Sequence, residues 1–99
     1  MNAPGDSLEF SEGPGFTRKV RDVPGLGEAI RGHYAQHPAG LTAVSPRLLR
    51  GDLVFEGRRY EFLLGRRGPT KVYLFFVAEV VNGQGIPVPD LKHFIALFG

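Results

Sequence analysis

The run KVYLFFVAEVV, Lys71–Val81, decides how this chain folds. Nine of its eleven residues are apolar, and most are β-branched or aromatic, the types that suit a pleated strand. Strict alternation places Val72, Leu74, Phe76, Ala78 and Val80 on one side, and Tyr73, Phe75, Val77, Glu79 and Val81 on the other. Both sides are apolar, so the strand has to be covered twice.

Working outward, two shorter runs precede it. Asp52–Glu56 and Arg59–Leu64 flank Gly57, which reads as a hairpin. Tyr60, Phe62 and Leu64 share one face of the second run, while Arg59 and Glu61 take the other. The loop Gly65–Thr70 then leads into the long strand. Downstream, Asn82-Gly83-Gln84-Gly85 reads as a turn and Ile86–Pro89 as an extended connector, since each proline biases its predecessor away from helix. Asp90 is placed to cap a helix, Leu91–Phe98, with Leu91, Phe94, Ile95 and Phe98 on one stripe. A helix this short has to dock to exist.

Further upstream, Leu26, Ala29, Ile30, His33, Tyr34 and His37 recur at helical spacing, with Pro38 and Gly40 as stops. Gly27 and Gly32 weaken that helix by about 1 kcal/mol each relative to alanine, so packing must hold it. Leu41–Val44 reads as a short strand, and Ser45-Pro46 as the start of a brief helical turn through Leu49. Phe16–Val23 alternates in part and reads as a strand ended by Pro24-Gly25. Residues 1–15 read as a loose arm with a short edge strand at Leu8–Phe10. The expected architecture is therefore α+β. It has an antiparallel sheet of four to five strands (meander 52–81), a helix near 26–37 and a short C-terminal helix 91–98. Residues 16–99 make one domain, with no internal repeat.

The chain has 99 residues and no cysteine, which excludes disulfides, thiolate metal sites and cysteine nucleophiles. The opening residues, Met1 to Asp6, have neither a basic start nor an apolar core, so no signal peptide is expected. The longest apolar run, Val72–Ala78, falls far short of the roughly 20 residues that cross a bilayer. No membrane association is expected, and a cytoplasmic location is. Nine of twelve basic residues are arginine, a bias usual for a GC-rich bacterial genome.

The net charge of +2 is too small to imply a polyanion partner, but its distribution is uneven. The middle of the chain is basic and the ends are acidic. In an antiparallel meander, Arg47, Arg50, Arg66, Arg67 and Lys71 fall at one end of the sheet, with Arg58 and Arg59 at the other. Five bases at a glycine-containing loop are candidates for phosphate or nucleic-acid binding, weighed against the plainer role of solvated loop charges. Tyr60 or Tyr73 would have to supply base stacking, yet both sit on apolar strands.

The remaining motifs carry less. Gly65–Lys71 lacks the spacing of a phosphate-binding loop and precedes a strand, and Pro24–Gly27 lacks the third glycine of a dinucleotide fingerprint. His33 and His37 stand four apart on a helix, a spacing that suits a metal, but nothing nearby completes a set and His93 is remote. No serine or threonine sits in a nucleophile motif. Asp52 and Glu61 read as partners of neighbouring arginines, and Glu79, the one acid in the long strand, as paired or near solvent. Arg50-Gly51-Asp52 is a chance tripeptide. No catalytic residue, metal site or cofactor is expected, and an enzyme is the least favoured class. The leading expectation is a small bacterial interaction or scaffold protein that forms homodimers: a strand apolar on both sides needs two covers, the chain supplies about two short helices, and any patch they leave open favours association, against a monomer whose helices and N-terminal arm suffice. The alternative is a polyanion-binding module at the basic sheet end.

Overall fold

The computed structural model describes residues 8–37 and 39–98. Along the chain lie β1 (Glu9–Glu12), α1 (Pro14–Asp22), α2 (Leu26–Gln36), β2 (Thr42–Ala43), β3 (Leu49–Phe55), β4 (Arg58–Arg66), β5 (Lys71–Glu79) and α3 (Val88–Phe98). The fold is α+β. Five strands form one open sheet in the order β1-β5-β4-β3-β2. The β2–β5 meander is antiparallel, and β1 adds to the outer edge of β5 in parallel, from Glu9 opposite Lys71 to Glu12 opposite Leu74. β1 is the edge strand expected near Leu8. Residues 1–7 of the expected arm, and Pro38, lie outside the described residues.

The hairpin between β3 and β4 turns through Glu56 and Gly57, both at positive φ (52° and 79°), the pairing that matches strand twist. A second turn of the same kind, Asn82-Gly83 (53° and 80°), closes the Val81–Gln84 bridge after β5.

Each face of the sheet has its own core. On one side α1 and α2 bring Phe16, Leu26, Ile30 and Tyr34 onto Tyr60, Phe62, Leu64, Val72, Leu74 and Val77. On the other, Leu48, Leu63, Phe75 and Ile86 are buried beneath Leu91, Phe94 and Ile95 of α3. The long strand is thus covered twice, as its composition requires.

Four local readings are corrected. First, strict alternation fails within β5. The pairing steps from Leu63–Phe76 to Leu64–Leu74, leaving Phe75 as an extra residue on β5. This bulge reverses the parity beyond it. Phe76 and Ala78 join Tyr73 and Phe75 on the α3 side, while Val77 joins Val72 and Leu74 on the α1–α2 side.

Second, Phe16–Val23 is not a strand; it lies within and just beyond α1. Pro14 occupies the first helical turn, where its missing N–H is no loss. Phe16 and Val20, four apart, turn to the same core. Over so few residues that spacing satisfies a two-residue period as well as a helical one.

Third, α3 begins at Val88, so Val88 and Pro89 are helical rather than extended. A proline is tolerated in a first turn, whose N–H groups have no partner in the helix. The Leu91 N–H donates to the Pro87 carbonyl at 3.0 Å. Fourth, Ser45-Pro46 starts no helical turn. Ser45 Oγ accepts from the Leu48 N–H at 3.2 Å and steers the chain directly into β3.

Candidate binding surfaces

The basic sheet end forms because β3 starts, β4 ends and β5 starts there. The four arginines and one lysine singled out from sequence are sorted by it into different surroundings. Arg47, Arg66 and Arg67 border one pocket of about 320 Å³, together with Phe75, Leu97 and Phe98. Arg67 lays its guanidinium 4.7 Å above the Tyr73 ring centroid, a cation–π contact. Arg66 sends its guanidinium to the opposite side of the sheet, where Nε donates to the Tyr34 hydroxyl at 3.0 Å.

Arg50 and Lys71 do not join this pocket. Arg50 lies on the α3 side with its Nε 3.8 Å from Glu61 Oε2. There it lines a separate open cleft of about 980 Å³, shared with Glu61 and the connector from Val81 to Pro89. Lys71 opens β5 beside Glu9 of β1 and is exposed.

The acids are held as partners. Asp52 and Glu61 face each other across β3 and β4. Asp52 accepts from Arg59 Nε at 2.7 Å. Glu61 accepts from the Ile86 N–H at 2.9 Å, which fastens the connector to the sheet. Glu79 lies 3.5 Å from an Arg58 nitrogen. At the other edge Glu12 takes hydrogen bonds from Arg31 of α2 and from the Thr17 hydroxyl, the latter at 3.0 Å.

His33 and His37 do come together, with ring centroids 5.2 Å apart and His33 edge-on to Phe62 at 6.0 Å. Among the described residues no group of three or more His, Cys, Asp and Glu is placed to hold a metal ion. No helix among them is long and apolar enough to cross a membrane.

The apolar surface concentrates around α3. None of its eleven residues is fully buried. Val88 and Leu97 are 61% and 60% exposed, Phe98 is partly exposed, and Val81, shortly before the helix, is exposed as well. Sequence reasoning placed Phe98 on the docking stripe and missed that it borders the basic pocket. The one signal for that proximity was Gly65. A glycine inside an apolar strand marks a close approach, here of the Phe75 ring and the Arg47 carbonyl. Compared with known proteins, the chain matches no known family and no curated protein.

Proposed function

We propose that this protein is a small, non-catalytic interaction module that self-associates through the face carrying α3. The observation that carries this reading is a docked helix with no fully buried residue, lying over Phe75 and Phe76 and leaving Val88 and Leu97 in water. Apolar side chains left exposed on a docked helix favour association. A two-fold contact hides the same patch on both copies at once, which is why it is the commonest closed solution. The cysteine-free, arginine-biased composition supports a bacterial cytoplasm as its setting.

Polyanion binding is the weaker reading. Arg50 is drawn toward Glu61 and Arg66 toward Tyr34, so the five bases do not line up as one stripe.

Light scattering on the eluting peak tests the proposal. Wild type is expected at the mass of two chains, and Leu97→Glu, which alters an exposed position, at the mass of one. A wild-type monomer at high concentration would overturn it.

A further inference from the structure

The pocket at the C-terminal end of α3 has a chemistry that mere association does not use. Its lining is of two kinds, basic and apolar. Arg47, Arg66 and Arg67 border it together with Gly65, Phe75, Leu97 and Phe98, with no acid in the lining. Among the described residues no carboxylate lies within ion-pair distance of Arg47 or Arg67. The Arg67 guanidinium is already fixed over Tyr73, so part of the ordering that ligand binding would otherwise require is done beforehand.

Gly65 opens the space. A Cβ there would stand 2.9 Å from Phe75 Cε2 and 3.0 Å from the Arg47 carbonyl oxygen. The bulge contributes as well, since the extra residue Phe75 turns its ring into the wall. The volume, about 320 Å³, lies at the small end of the roughly 300–1,000 Å³ usual for small-molecule sites.

We propose that this pocket binds a small amphiphilic anion, a carboxylate carried on an apolar body. The two guanidiniums match a carboxylate, which takes paired N–H donors in their fork geometry. The aromatic and leucine wall takes the apolar body out of water. A bare phosphate would use only the first half of this lining and a neutral hydrocarbon only the second. The ligand class follows from the combination; Leu97 lines this pocket and also belongs to the proposed self-association face, so the two readings are tested by different measurements.

Titration with octanoate, followed by calorimetry and by amide chemical shifts, tests it. Octanol supplies the same body without charge, and inorganic phosphate the charge without the body. The expected result is saturable octanoate binding that shifts the amides of Gly65, Arg67 and Phe98. Octanol and phosphate should each bind at least about tenfold more weakly, the loss expected when one charge-assisted hydrogen bond or the apolar burial is removed. Arg67→Gln and Arg47→Gln, both at exposed positions, should each weaken octanoate by about tenfold while leaving the spectrum of the fold intact. Equal binding of octanol or phosphate, shifts confined to another surface, or octanoate affinity unchanged in both variants would overturn the assignment. Light scattering on the same samples reports self-association separately, so the two readings fail independently.

Discussion

Phe75 and Phe76 are adjacent in sequence, yet both rings meet Phe94 from the same side of the sheet, at centroid distances of 5.9 and 5.7 Å. Neighbours in a regular strand point to opposite faces. The bulge between Leu63 and Leu64 removes that rule for one step and delivers two aromatic rings to the face that α3 must hold. A helix of eleven residues cannot persist without such a surface. One extra residue in β5 therefore decides where α3 docks, and it also supplies a wall of the basic pocket.

Truncating these rings should separate the two contributions. Phe75 is 7% exposed, and Phe75→Ala is expected to cost about 3–5 kcal/mol, the range for buried phenylalanines. At roughly 4–8 °C per kcal/mol for a domain of this size, that is a fall of at least about 12 °C in Tm. Phe76→Ala, at a half-buried position, should cost less. Val54→Ala, at a position 71% exposed, should stay within about 0.5 kcal/mol of wild type. Thermal melts of the three variants check the ranking; equal effects would contradict it.

Two glycines make an opposed pair. Gly65→Ala forces a methyl against the Phe75 ring and the Arg47 carbonyl, at 2.9 and 3.0 Å, and should destabilise by about 1–3 kcal/mol. Gly32 sits inside α2, with nothing within 4 Å of where its Cβ would stand. Gly32→Ala should stabilise by about 0.5–1 kcal/mol, chiefly by restricting the unfolded chain. Urea midpoints moving in opposite directions would bear this out.

The contrast between legible and illegible features follows from what each depends on. The hairpin at Gly57, the long strand and the helix from Leu26 were readable because local chemistry alone specifies them: a positive-φ turn, a continuous apolar run and a helical stripe. The bulge was not. Nothing in Phe75-Phe76 signals an extra residue, because a bulge is a property of two paired strands. α1 is not legible because Phe16 and Val20, four apart, fit both periods over so short a span, and Pro14, the discriminating residue, reads equally as part of a loop. The gathering of bases was foreseeable from meander connectivity. Their division among Glu61, Tyr34 and Tyr73 was not, since it rests on which side each β-position faces and which partner lies there.

Glu12 ties the edge strand to α2. Its carboxylate accepts from Arg31 and from the Thr17 hydroxyl, and its side chain is about one-fifth exposed. Arg31 is more than one-third exposed, so solvent screening limits the pair. Glu12→Gln should cost about 1 kcal/mol, and that difference should shrink as salt is raised. A double-mutant cycle with Arg31→Gln isolates the pair; a coupling that salt leaves unchanged would show that packing, not charge, joins β1 to α2.

Glu61 makes the most local prediction about α3. One carboxylate oxygen accepts from the Ile86 N–H at 2.9 Å, and the other lies 3.8 Å from Arg50 Nε. Ile86 is nearly buried, so its amide has little access to water if the acceptor is removed. Gly85 sits directly over this carboxylate, with space for no Cβ: one would stand 2.8 Å from Glu61 Oε1. Glu61→Ala should therefore cost about 1–3 kcal/mol by leaving that N–H unpaired. Because the connector carries α3, the loss should appear as faster hydrogen exchange at Ile86 and along α3 before β4 itself opens. Glu61→Gln keeps an acceptor of the same length while discarding the charge, so it should preserve most of the Ile86 protection and lose only the Arg50 pairing. If Gln and Ala accelerate exchange at Ile86 alike, the Arg50 pair, rather than the hydrogen bond to the connector, holds α3 in place.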